Sequence, residues 1–185
     1  MATVYVGVGS NIDPERNIPD AMRALRSRAR ITGVSAFYRT PPLGAPGDPE
    51  FFNGVVRIET DLEPSELRAD VLRRIEDDLG RRRTSDPNSP RPIDLDIILY
   101  EERVSREGGI IIPAPDIRTR AFVAVPLLEL APDLVLPDDG ARLKDLVRSM
   151  DRRGLAPLPE FSETLIKEFG NESGTSQAAG PRAAG

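Results

Sequence analysis

The chain contains no cysteine, no histidine and no tryptophan. The first two absences remove disulfides, zinc sites built on sulfur or imidazole, thiol nucleophiles and every acid–base scheme that needs a histidine. Any chemistry must therefore use carboxylates, arginines, hydroxyls, backbone amides or a bound metal. Lysine is nearly missing as well. Lys144 and Lys167 are the only two and neither follows a glycine, so the phosphate loop G-x-x-x-x-G-K-[ST] does not occur and a kinase of that type is excluded. No apolar run approaches the ~20 residues that span a bilayer, and no signal-peptide pattern opens the sequence, so a cytoplasmic location without membrane attachment is expected. A basic surplus is also lacking: the net charge of −5 argues against a chain whose main task is gripping nucleic acid.

What remains is enough for one domain with a real core, since 185 residues exceed what a single hydrophobic centre needs. The most informative stretch is Ser89-Pro90-Arg91-Pro92-Ile93-Asp94-Leu95-Asp96-Ile97-Ile98-Leu99-Tyr100. A proline-fixed loop runs into an apolar, β-branched segment that reads as a buried strand interrupted by two aspartates. Side chains alternate along a strand, so Asp94 and Asp96 share one face and Leu95 and Ile97 the other. Two adjacent carboxylates repel and need a cation. Mg²⁺ suits them, because it is held by one or two carboxylates together with substrate phosphates. The plainer reading is an Asp-x-Asp on a solvated strand edge, paired with arginines for structural reasons.

Along the chain, Thr3 to Gly9 alternates as a first strand. Gly7-x-Gly9 lacks the third glycine of a dinucleotide fingerprint, since position 12 is Ile12. Asp13-Pro14 starts a helix with Ile18, Met22 and Leu25 on one face, fading near Arg28. Ile31 to Tyr38 reads as a second strand. It is followed by a proline- and glycine-rich loop, Arg39 to Pro49, of the length that lids and binding loops have. Phe51 to Glu59 is the next strand, with Phe51 and Asn53 on one face, able to offer a ring and an amide to a flat heterocycle or to serve as ordinary core and turn former. Leu62 to Leu79 is a helix capped by Ser65 after Pro64, with an apolar stripe of Leu67, Val71, Leu72, Ile75 and Leu79. The basic loop Arg81 to Arg91 suits a polyphosphate, or else balances Glu76, Asp77 and Asp78 as a solvated charge run. Beyond the aspartate strand come a polar turn over 101–109, a short strand Ile110 to Pro113, an irregular stretch to Arg120, a helix Ala121 to Leu130 and a short helix Leu143 to Met150. The order predicts an α+β fold, a ferredoxin-like antiparallel sheet with helices packed on it. A single domain over 1–160 is expected, with a disordered tail over 170–185.

Several blocks together carry a resemblance. Gly9-Ser10-Asn11, Tyr38-Arg39-Thr40-Pro41-Pro42-Leu43-Gly44, Phe52-Asn53, Gly80-Arg81-Arg82-Arg83 and Pro90-Arg91-Pro92-Ile93-Asp94-Leu95-Asp96 occur in the order seen in the 6-hydroxymethyl-7,8-dihydropterin pyrophosphokinase family of folate synthesis. The likeness runs from about Thr3 to Pro137. It implies transfer of the terminal diphosphate of ATP to the hydroxymethyl group of a reduced pterin, leaving AMP, with two Mg²⁺ ions. Carried over residue by residue, Asp94 and Asp96 hold the metals. Arg81, Arg83, Arg91 and Arg120 meet the phosphates, and Ile97 borders the nucleotide. Thr40, Pro41, Leu43 and Asn53 line a pterin pocket, with Phe51 and Phe122 on either side of the ring. Loops 39–48 and 81–89 are expected to close when ATP binds, excluding water from the transfer, in a chain expected to be a monomer, with a dimer left open.

Departures from the family pattern fall on the nucleotide side, at Thr84, Pro87, Asn88, Gly109, Ile111, Ala114 and Pro115. Two alternatives therefore stand beside the resemblance. One is a pterin-binding module without turnover; the other is a different metal-dependent phosphoryl or nucleotidyl transferase.

Overall fold

The computed structural model describes residues 1–42, 47–82 and 89–170. Leu43, Arg83, Thr84, Pro87, Asn88 and the tail past Gly170 lie outside the described residues, and so does most of the basic loop.

Alternation builds the central strand β1 (Ala2–Ser10): Val4, Val6 and Val8 are buried on one face, and Tyr5, Gly7 and Gly9 take the other. β1 pairs antiparallel with β4 (Phe51–Thr60) on one side and β5 (Asp94–Tyr100) on the other. β2 (Arg30–Val34) and β3 (Tyr38–Thr40) both pair with β4, at its two ends, and β6 (Ala156–Pro157) extends the sheet beyond β3. The path β5-β1-β4-β3-β6 is antiparallel throughout, with helical crossings from β1 to β2 and from β4 to β5. This is the ferredoxin-like α+β plan that the order of elements predicted.

Helix α1 (Pro14–Arg26) starts with proline at a position whose N–H has no helical partner, and it buries Ile18, Ala21, Met22 and Leu25. The second crossing is α-helical over α2 (Pro64–Glu66), π-helical over Leu67–Leu72 and α-helical again over α3 (Arg73–Asp78). Both crossings cover the face of Val4, Val6 and Val8. The opposite face is covered in part. A short α4 (Asp116–Thr119) leads into α5 (Ala121–Leu130), which packs with α6 (Leu143–Ser149) over Val55 and Ile98. The uncovered remainder of that face becomes the cavity.

The structure corrects some local readings. The stretch 31–38 is two strands, because the chain leaves the sheet at Ser35. There the Ser35 hydroxyl accepts the Val55 N–H at 2.8 Å and donates to the Ala36 carbonyl at 2.8 Å. The detour lets the Phe37 ring lie over Gly54, where a Cβ would come within 2.6 Å of it. The crossing helix is capped by Glu63, not Ser65: Pro64 takes the first helical position, and Glu63 and Glu66 form a reciprocal capping box. Residues 110–113 make one isolated bridge, Ser105 to Ile112, instead of a strand, and Ile111 is exposed. A last helix, α7 (Pro159–Phe169), buries Ser162, Leu165 and Phe169 against β2 and α1, so the packed chain runs on to Phe169.

Candidate active site

The register places Asp94, Gly9, Asn53 and Tyr38 in one row across β5, β1, β4 and β3, with Gly7 opposite Asp96 in the next position. Residues opposite one another in an antiparallel pair point to the same face. The carboxylates and the Asn53 amide therefore stand on one surface, separated by two glycines that contribute no side chain. The result is a cavity of about 450 Å³ bounded by Asp94, Asp96, Thr40, Asn53, Phe51 and Phe122, a volume suited to small-molecule ligands. Gly9 is required. A Cβ there would sit 2.8 Å from Asn53 Oδ1.

At one end, Asn53 Nδ2 donates to Thr40 Oγ1 at 2.8 Å, and both residues are buried. Phe51, also buried, and Phe122, at the start of α5, line the same end, with Pro41 at the rim. At the other end Asp94 is enclosed by cations. Arg81 Nη1 pairs with it, and Arg91 Nε lies 3.0 Å from Asp94 Oδ2 while its guanidinium stands 5.2 Å over the Phe51 ring. Arg81 Nη1 is shared with Glu76 Oε1 at 2.5 Å, and the same Glu76 oxygen accepts the Leu95 N–H at 2.8 Å. Asp96 has a different environment. Crowding by protein at the cavity floor, then the like charges of Asp94 and Glu76, pushes its carboxyl up to about 7. Water still reaches its side chain through the mouth of the cavity. Arg120 borders the cavity and is exposed. Ile97 touches the cavity wall but packs in the core on the sheet's other face.

Among the described residues no cluster of three or more carboxylate, imidazole or thiol donors exists. Asp94 and Asp96 are thus the donors on offer. Two oxygen ligands on a face that also admits water and a polyphosphate fit Mg²⁺, which keeps several waters and borrows substrate oxygens, and they do not fit a closed structural site.

The structure brings Arg81, Arg91, Asp94, Asp96, Thr40, Pro41, Phe51, Asn53, Phe122 and Arg120 to one cavity or to its immediate support. Two contributors were given no site role from sequence, although Asn11 stands in the Gly9-Ser10-Asn11 block. Glu76 read as part of a solvated acidic run, yet it is 3% exposed. Its phase was a signal, since it stands four residues after Leu72 and three before Leu79, on the buried face of the helix. Asn11 holds both loop ends: its Nδ2 donates to the Pro49 carbonyl at 3.2 Å, and its Oδ1 accepts the Arg91 N–H at 2.7 Å. Nothing in the local pattern around Asn11 announces contacts so distant in sequence.

A model of the 7,8-dihydro-6-hydroxymethylpterin-pyrophosphokinase (HPPK) family matches residues 5–132. The 2-amino-4-hydroxy-6-hydroxymethyldihydropteridine pyrophosphokinase of Haemophilus influenzae is 40% identical over 141 residues, 75% of this chain and 87% of that one. The Pseudomonas aeruginosa protein of the same name is 39% identical over 159 residues, covering 84% of this chain and 96% of its own. Among solved structures, Plasmodium falciparum HPPK-DHPS with SDX-DHP superposes with a TM-score of 0.59 at 11% identity, covering 92% of this chain and 45% of that one, and supports the fold alone. With more than half of its length matched by the family model and close to 40% identity to two relatives along most of their chains, the protein belongs to the 7,8-dihydro-6-hydroxymethylpterin-pyrophosphokinase family.

Proposed function

We propose that this chain transfers the terminal diphosphate of ATP to the hydroxymethyl group of 6-hydroxymethyl-7,8-dihydropterin, releasing AMP, with Mg²⁺ held by Asp94 and Asp96. The observation that carries the reading is the shared cavity: two carboxylates on β5 face a buried Thr40–Asn53 pair across a floor of glycines. The Asn53 amide, which can both donate and accept, reads the polar edge of the pterin, while Phe51 and Phe122 hold its faces. That grip fixes the hydroxymethyl group toward the aspartates, converting the encounter of two substrates into an oriented one. Metal ions bound at Asp94 and Asp96 would neutralise charge on the polyphosphate.

Arg91, Arg81 and Arg120 supply further positive charge at that end, and Arg83, outside the described residues, is assigned the same part. A loose phosphoryl-transfer transition state asks for positioning and charge more than for a strong base, which a chain without histidine or cysteine can provide. Closure of 39–48 and 81–89 over the nucleotide excludes water from the transfer. The same reading has a monomer working in the cytoplasm on small molecules alone.

Product analysis tests it. With the reduced pterin, ATP and Mg²⁺, ATP is converted to AMP in step with diphosphorylated pterin. ADP as the product would assign a different transfer, and pterin binding without any nucleotide turnover would leave a binding module.

A further inference from the structure

The cavity is also lined by the apolar Ile97, Ile110, Ile111, Ala114 and Pro115, with the charged Asp116 and Arg120 beside them. A cation reaches the cavity from the crossing helix: Arg68, within the π-helical stretch. Within the widened turn the Arg73 N–H bonds to the Arg68 carbonyl five positions back. A π turn inserts extra chain into one turn and re-aims the side chains around it, and such turns recur at functional sites. Here Leu67, Val71 and Leu72 stay buried, while the Arg68 side chain is partly exposed at the cavity and its Nη1 donates to the Gly109 carbonyl at 2.6 Å. That partner is neutral. Arg81 and Arg91, by contrast, both pair with the Asp94 carboxylate, and Arg81 pairs with Glu76 as well.

We propose that Arg68 is a nucleotide-binding residue of this chain, its guanidinium holding phosphate oxygens of ATP beside these apolar residues. The inference rests on the pyrophosphokinase reading. A guanidinium fork with a spare charge, beside a carboxylate pair and against an apolar wall, suits an adenine nucleotide: the base lies on the isoleucines and the phosphates meet the cation. The competing account is purely structural, with Arg68 tethering the loop at Gly109 and touching no ligand.

Calorimetric titration of the full chain with ATP, AMP, adenosine and the reduced pterin, in wild type, Arg68→Ala and Arg68→Lys, separates the two. Loss of one charge-assisted contact predicts that Arg68→Ala weakens ATP by about ten- to a hundredfold. Adenosine and pterin affinities hold, and Arg68→Lys recovers part of the loss. Unchanged ATP affinity, or equal losses for ATP and adenosine, overturns the inference while leaving the pyrophosphokinase reading intact. A wild-type chain that binds pterin but no ATP removes both.

Discussion

Replacing Glu76, which does not line the cavity itself, perturbs the site from behind through Arg81 and the backbone of Leu95. Its one carboxylate oxygen receives the Leu95 N–H at 2.8 Å and stands 2.5 Å from Arg81 Nη1, in a place that is 3% exposed. Glu76→Gln keeps an oxygen for Leu95 and for Arg81 but removes the charge, so the loss is the difference between a charge-assisted and a neutral hydrogen bond, about 1 kcal/mol. Glu76→Ala leaves the Leu95 N–H without an acceptor and Arg81 with one carboxylate for two, and breaking a buried pair this way costs about 3–5 kcal/mol. For a chain of this size each kcal/mol moves Tm by about 2–4 °C. The expected falls are therefore about 2–4 °C for Gln and about 6–20 °C for Ala in thermal denaturation followed by circular dichroism. Equal shifts for the two variants would refute the backbone-acceptor role. No shift in either would refute the buried-triad account as a whole.

Other outcomes rest on the same geometry. Gly9→Ala puts a methyl 2.8 Å from Asn53 Oδ1 and displaces the amide from Thr40, so pterin affinity falls by about tenfold or more in a fluorescence titration; unaltered affinity would mean that Asn53 does not read the pterin. Ser162→Ala removes the acceptor of the buried Phe37 N–H, a 2.8 Å bond joining α7 to the root of β3, and lowers stability by about 1–3 kcal/mol in urea unfolding. An unaffected midpoint would make α7 a passive cover. The folded chain holds the Asp96 proton more tightly than the unfolded chain, since crowding at the cavity floor and then the charges of Asp94 and Glu76 raise that carboxyl from 3.8 to about 7. Between those values Asp96 binds more protons in the folded state, so its contribution to metal-free stability declines as pH rises from about 4 to about 7. Asp96→Asn flattens that decline; a slope equal to wild type would place the titrating group elsewhere.

Much of this architecture was legible because alternation on β1, β4 and β5 is strict enough to assign faces before any pairing is known. Asp94 and Asp96 on one side, with Leu95 and Ile97 on the other, came from the two-residue period alone, and Asn53 with Phe51 likewise. Tertiary contacts fixed what periodicity could not express. The break after Val34 depends on Val55 and Gly54, some twenty residues downstream. The burial of Glu76 depends on a backbone N–H in β5, and the contact of Arg68 with Gly109 joins residues 41 apart in sequence. Helix α7 escaped notice because its apolar face is short and lies beside a glycine- and serine-rich tail, although Phe161 packs edge-on against both Phe37 and Phe52 at centroid distances of 5.6 and 5.5 Å.

The central claim is that the two aspartates of β5 hold the divalent cation through which diphosphate transfer is made possible. Its most direct measurement is AMP formation as a function of Mg²⁺ concentration in wild type, Asp94→Ala and Asp96→Ala, with circular dichroism run on each. The account predicts that both variants keep the fold and lose Mg²⁺-dependent turnover by about a hundredfold or more. Turnover in either variant with the Mg²⁺ dependence of the wild type would place the metal elsewhere and contradict it.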